Sequence, residues 1–374
     1  MVMSFQQRHI LHAMDPYVSG KSIQETKKRF KLKRVIKLAS NENPWGVSSK
    51  ALSAVKKAAK GVAVYPPMQY EGLRQQLADF YGLPMESVVL GNGSDEVMLM
   101  VAQAFVEPGA EVILSRSTFS TYEKVTLLAG GTPVYVDLKE GRYDLEAIRA
   151  KVTDRTRLIF LCNPNNPTGT IFTDREWGRF FAEVPESVVV VMDEAYYEYV
   201  ESRHFPKSLT WIQKKKNLLI LRTFSKVYGL AALRIGYGLG DPALVRWLHE
   251  VVRPPFNVNS LAEAAAVAAL ADQTFVKKSV KNNRQGKQFL MKGLVALGYE
   301  PWETEANFIF FEVSGLAANV AEQLMRQGII VRPLSSFGLP NAIRVTIGTP
   351  EQNRAFLSAL KKVGGKDAKK NAAQ

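Results

Sequence analysis

Arg222-Thr223-Phe224-Ser225-Lys226-Val227-Tyr228-Gly229-Leu230-Ala231-Ala232-Leu233-Arg234-Ile235-Gly236-Tyr237 follows a short apolar run at 218–221 and sets a lysine and an arginine eight residues apart among hydroxyls and glycines. A brief apolar run that ends in a polar, glycine-containing turn reads as a buried strand delivering side chains to one edge of a sheet. Similar runs lie at 87–90, 111–114, 133–136, 158–162, 188–192 and 235–238, with amphipathic stretches between them at 71–80, 96–105 and 175–183. This alternation, sustained from Ser49 to about Leu270, predicts an α/β domain with a mostly parallel sheet whose faces are covered by helices. Beyond Leu270 come a long helical stretch, a strand at 307–312, a helix near 316–326 and strands near 329–332 and 343–347, the pattern of a smaller α+β domain. The expected division is an N-terminal arm and part of the small domain at 1–40, a large domain at 41–270, a small domain at 271–363 and a disordered basic tail at 364–374.

The chain has 374 residues, 46% hydrophobic and 22% charged, which suits two packed domains and excludes disordered, collagenous and coiled-coil classes. No apolar run approaches the roughly 18–20 residues that span a bilayer. The first residues lack the charged start, apolar core and small-residue cleavage site of an export signal, so a cytoplasmic location is expected. One cysteine, Cys162, excludes an internal disulfide framework, and His9, His12, His204 and His249 have no metal-ligand spacing, so no metal is expected. The formal charge of +14 is concentrated in 27–37 and 361–370. Such runs are read as solvent-facing, with neither nucleic acid nor membrane as partner.

Four clusters sit where predicted strands end, the place at which an open α/β sheet forms its ligand crevice. Gly91-Asn92-Gly93-Ser94-Asp95-Glu96 follows a strand and opens a helix, so its N–H groups suit a phosphate. A plain N-capping turn or a dinucleotide turn reads the same way, although Glu96 stands where the latter needs a glycine. Asn163-Pro164-Asn165-Asn166-Pro167-Thr168-Gly169 is a rigid turn able to present an amide, or a structural loop. Asp193-Glu194-Ala195-Tyr196 puts a carboxylate at a buried strand end, where it needs a cationic partner that an ordinary arginine or lysine could supply. The opening stretch around Lys226 is the fourth.

In type and order these four clusters resemble the class I and II aminotransferases, whose lysine motif the Lys226 stretch matches. Leu38-Ala39-Ser40-Asn41-Glu42-Asn43-Pro44, Tyr65-Pro66, Ala306-Asn307-Phe308, Val331-Arg332 and Ile343-Arg344-Val345-Thr346-Ile347-Gly348-Thr349 extend the similarity from about Met14 to Val363, toward the branch acting on histidinol phosphate. Ala232 departs from a common glycine, and Phe119 from a common tyrosine. The resemblance implies an aspartate-aminotransferase-like fold (fold type I), a homodimer with shared sites, and pyridoxal 5′-phosphate as cofactor. It implies amino transfer between L-histidinol phosphate and 2-oxoglutarate, giving imidazole acetol phosphate and L-glutamate. Phenylalanine or tyrosine is the alternative amine, since similar rings are poorly discriminated by an apolar pocket, and the loop 333–340 is apolar and aromatic. A decarboxylase on the same cofactor, or a DNA-binding regulator, ranks behind both; only about forty residues precede Asn41, too few for such a regulator's DNA-binding module plus linker.

The roles implied by the resemblance are specific. Lys226 holds the cofactor and moves the proton. Asp193 faces the ring nitrogen, and Asn166 and Tyr196 face the phenolic oxygen. Ser94, Asp95 (through its N–H), Thr223, Ser225 and Arg234 hold the phosphate, joined by Tyr65 from the neighbouring subunit, and Phe119 stacks on the ring. Arg344, with Arg332, Tyr17 and Asn43, receives the substrate, because a guanidinium fork accepts phosphate or carboxylate alike.

Overall fold

The computed structural model describes residues 8–14, 16 and 20–371. Twelve strands among them are β1 (Ile36–Lys37), β2 (Val88–Gly91), β3 (Glu111–Ser115), β4 (Thr132–Val136), β5 (Thr156–Cys162), β6 (Val189–Asp193), β7 (Leu218–Thr223), β8 (Gly236–Gly240), β9 (Phe308–Glu312), β10 (Ile329–Ile330), β11 (Arg332–Leu334) and β12 (Leu339–Thr346). Seven form one sheet in the order β2-β8-β7-β6-β5-β3-β4, in which β8 runs antiparallel to both neighbours and the other pairs are parallel. Every residue of β6 and β7 is buried, as expected of central strands covered on both faces. The expected strand at 329–332 is instead two short ones, because β10 pairs with β1 and β11 with β12.

Helices cover the sheet with the faces the sequence assigns them. The helix Asp174–Glu183 starts on a capping box, the Thr173 hydroxyl accepting from the Glu176 N–H while the Glu176 carboxylate accepts from the Thr173 N–H. It buries Trp177, Phe180 and Phe181 against the large core. A second core gathers Ile36 and Leu38 of the arm with Ile309, Leu324, Ile343 and Phe356. The 24-residue helix Gln273–Ala296 joins the two, with Val276 in the first core and Leu290 and Leu294 in the second. The last helix is Pro350–Asn371. The stretch 364–371, expected as disordered tail, continues that helix. Among the described residues no helix is long and apolar enough to cross a membrane.

Candidate active site

The carboxyl ends of β5, β6 and β7 bring the sequence clusters together. Asp193 closes β6 and is 3% exposed. Its carboxylate accepts from the Tyr122 hydroxyl at 2.6 Å and from the Ala195 N–H at 3.1 Å, and it has no ion-pair partner among the described residues. Burial pushes its pKa up to about 6, against the pull of those two hydrogen bonds. Tyr122 is fully buried and stacks on Phe160 at 4.9 Å. Sequence reasoning singled out Phe119 and missed Tyr122, three residues on and edge-to-face with it at 5.7 Å. A phenol at that spacing from a ring-stacking candidate was the available signal.

The loop after β7 carries Lys226, whose Nζ lies 5.6 Å from the centroid of the Tyr196 ring. Burial first, and the Arg344 charge second, lower its pKa to about 8. The loop is closed by the Gly229 N–H on the Lys226 carbonyl at 3.0 Å. It is also pinned from outside, since Asn43 Nδ2 donates to the Val227 carbonyl at 2.7 Å and to the Ser279 hydroxyl at 3.1 Å. Asn43, expected against the substrate, thus spends its amide on the Lys226 loop. Tyr196 is buried edge-to-face on Phe308 at 5.2 Å, and burial raises its phenol pKa.

A cup rich in N–H groups faces this cluster. The helix Ser94–Phe105 begins after Gly93 at φ 81°, and among the described residues no side chain caps it, so its first-turn N–H groups stay open to an anion. Arg234, itself left-handed at φ 53°, extends Nη1 to the Ser225 hydroxyl at 3.4 Å and Nη2 to the Asp95 carboxylate at 3.0 Å. Thr223 Oγ1 accepts from the Ser225 N–H at 3.1 Å. The backbones here are too close for a larger residue at Gly236, whose Cβ would lie 2.3 Å from the Ser94 nitrogen, while a Cβ on Gly93 would meet the Arg234 guanidinium at 2.5 Å.

Arg332 and Arg344 stand directly opposite each other across β11 and β12, both buried. Arg344 donates to Asn166 Oδ1 and, at 2.8 Å, to the Ala39 carbonyl, with its guanidinium 5.3 Å from the Phe308 ring. Arg332 donates to the Ser336 hydroxyl at 3.2 Å and lies 5.8 Å from the Phe337 ring. Directly opposed like charges repel, and an anion between them relieves that repulsion. Asn166 comes from the turn after β5, in which the Asn163–Pro164 and Asn166–Pro167 bonds are cis. Tyr65 is 77% exposed and stacked on Phe256 at 4.6 Å, so within one chain it lies on the surface. Tyr17 lies outside the described residues. An amine of lowered basicity, a buried carboxylate with no ion pair among the described residues, an anion cup and paired arginines can together hold a phosphorylated heterocycle and act on a second, anionic molecule.

Comparison with known proteins agrees in family and fold. The family model described as aminotransferase class I and II matches residues 33–360. A histidinol-phosphate aminotransferase of Moorella thermoacetica is 44% identical over 357 residues, covering 95% of this chain and 92% of its own. One from Brevibacillus brevis is 44% identical, covering 93% and 95%. The crystal structure of histidinol-phosphate aminotransferase from Sinorhizobium meliloti in complex with pyridoxal-5′-phosphate superposes with a TM-score of 0.88 at 27% identity, covering 98% of this chain and 99% of that one.

Proposed function

Because the chain belongs to the class I and II aminotransferases, we propose that it transfers the amino group of L-histidinol phosphate to 2-oxoglutarate, giving imidazole acetol phosphate and L-glutamate, with pyridoxal 5′-phosphate as cofactor. The observation that carries the reading is Asp193, a buried carboxylate with no ion-pair partner among the described residues, beside an amine and across from an uncapped helix start. A protonated pyridine nitrogen supplies the missing cation, and a phosphate monoester fits the cup of Arg234, Thr223, Ser225, Ser94 and the Asp95 N–H. When bound, the cofactor supplies an electron-withdrawing ring that accepts the electron pair released as the substrate's C–H bond breaks.

The residues divide the work. Asp193 holds the proton on the ring nitrogen. Tyr196 and Asn166 donate to the phenolic oxygen, the Asn166 carbonyl being occupied by Arg344 so that its N–H groups are available. Phe119 covers the ring. Lys226 would hold the cofactor through its Nζ and, once free, would take the proton from the amine-bearing carbon; burial and Arg344 keep enough of that amine neutral to act as a base near pH 8. Arg344, with Arg332 and Tyr17, receives the phosphate of the amine and then a carboxylate of 2-oxoglutarate, while Asn43 acts through its hold on the Val227 carbonyl. The exposed apolar run Val62, Val64, Tyr65 and Met68 supports a homodimer in which each Tyr65 reaches the partner's phosphate cup, and the enzyme works in the cytoplasm.

A single-turnover half-reaction tests the substrate. Holoenzyme is mixed separately with histidinol phosphate, phenylalanine and tyrosine without keto acid, and loss of the lysine-bound cofactor absorbance is followed. Much the fastest decay with histidinol phosphate is expected. Comparable aromatic rates would favour a second, aromatic amino acid activity, to which the Phe337 ring beside Arg332 is suited; no decay with any of the three would overturn the substrate assignment.

A further inference from the structure

We propose that Asn41 is a positioning residue that aims the Tyr196 hydroxyl proton at the cofactor's phenolic oxygen, and that Thr346 sets the direction of the Asn41 amide. The inference rests on the cofactor reading above. Asn41 is 1% exposed and sits at φ 56°, a left-handed conformation that asparagine and aspartate adopt more readily than other side chains.

The hydrogen bonds around it leave one consistent orientation. The Asn41 backbone N–H donates to Thr346 Oγ1 at 3.0 Å, so the threonine accepts there and directs its own proton elsewhere. Asn41 Oδ1, 3.2 Å away, receives that proton. With Oδ1 so fixed, the NH₂ end of the amide faces Tyr196, and Nδ2 donates to the phenol oxygen at 3.0 Å. A phenol oxygen that accepts from Nδ2 keeps its own O–H for another acceptor, and the cofactor's phenolic oxygen is the one the site supplies. Asn307 Nδ2 holds the Asn41 carbonyl at 2.9 Å, so the backbone cannot swing away. Thr346 lies two residues beyond Arg344 on β12, and residues at that spacing share a face of the strand. The strand that presents the substrate-binding guanidinium therefore also sets the proton direction at the cofactor.

Asn41→Asp keeps the left-handed backbone and the size of the side chain but replaces the donor by an acceptor, so the carboxylate takes the Tyr196 proton instead of leaving it for the cofactor. A donor on the phenolic oxygen competes with the proton on the lysine–cofactor nitrogen, and its loss lets that nitrogen stay protonated to higher pH. The readout is the pH midpoint of the absorbance of the Lys226-bound cofactor in wild type, N41D, N41G, Y196F and the N41D/Y196F double variant, with thermal melting and cofactor content as controls for folding. N41D is expected to raise the midpoint by about one pH unit, tenfold in the equilibrium, as far as Y196F does. N41G, which removes the donor but leaves Tyr196 its proton, shifts it by less than a third of that, and the double variant matches Y196F. The proposal is overturned if N41D titrates as wild type, if N41G moves as far as N41D, or if the double variant moves beyond Y196F. A wild-type protein with no titrating cofactor absorbance would instead overturn the cofactor reading on which the proposal stands.

Discussion

Replacing Asp193 by asparagine should make the cofactor-stripped protein more stable, and more so as the pH rises. The carboxylate is buried, and its pKa rises from 3.8 to about 6 in the folded chain. Well below pH 3.8 it is protonated folded or unfolded and the burial carries no electrostatic penalty. Between pH 4 and 6 the unfolded chain releases the proton and the folded chain keeps it, so stability falls as pH rises. Above pH 7 the penalty is complete: about two pH units at about 1.4 kcal/mol each, or about 3 kcal/mol. Asparagine carries no charge; its oxygen accepts from the Ala195 N–H and its nitrogen donates to the Tyr122 oxygen, whose own proton turns to the Cys162 sulfur. Urea unfolding of both stripped proteins at one protein concentration, from pH 4 to 8, should show the variant gaining from near zero to about 3 kcal/mol. With cofactor added the order should reverse, because only the carboxylate pairs with a protonated ring nitrogen. A stability difference that does not change with pH, or a variant less stable at pH 8, would refute the argument.

Four further outcomes are expected. Capture of free cofactor by the stripped protein, followed by stopped-flow absorbance, should depend on the neutral fraction of Lys226: tenfold slower per pH unit below about 8 and level above it, with the break moved toward 10.5 in Arg344→Gln. Gly236→Ala forces a Cβ against the Ser94 nitrogen; overpacking of about 1–3 kcal/mol should lower cofactor affinity roughly tenfold or more, measured by fluorescence titration. Glu194→Ala strands the buried Arg222 guanidinium, which the carboxylate meets at 2.7 Å and 3.1 Å; a loss of about 3–5 kcal/mol in denaturant unfolding is expected, with the spectrum of any folded holoenzyme unchanged. Val64→Lys, placed in the exposed apolar run beside Tyr65, should convert the proposed dimer to monomer in light scattering, and a dimer of undiminished affinity would count against the shared site.

Where the chemistry lies in contiguous motifs, the sequence is readable. Lys226 and Arg234, Asp193 and Tyr196, and Gly93 with Ser94 each follow a strand whose apolar run is unmistakable, and the strand ends gather them. What escaped is chemistry assembled between motifs. Tyr122 reads as an ordinary aromatic of an amphipathic helix until its hydroxyl is found on Asp193, 71 positions away. Asn41 and Asn43 occupy one motif, yet one amide turns to Tyr196 and the other to the Lys226 loop, a division set by a left-handed residue that composition does not reveal. The split of the expected 329–332 strand depends on which partners arrive from residue 36 and residue 344, information that no local pattern contains. The persistence of the last helix through 364–371 likewise overrode two glycines.

The neighbours Asp193 and Glu194 are separated by one peptide bond but serve different ends, the first bonded to Tyr122 and the second to Arg222. Beside them Thr223 meets Ser225 of the anion cup while Arg222 meets Glu194, so the chain spells chemistry and foundation in alternating letters at the ends of two adjacent strands. Such a text has a reading frame. Gain or loss of one residue within β6 or β7 would exchange the two sets wholesale, presenting the arginine of the foundation to the crevice and turning the Asp193 carboxylate into the foundation. Diversification of this scaffold, by nature or at the bench, is thereby confined to substitutions along these strands and to length changes in the loops that follow them.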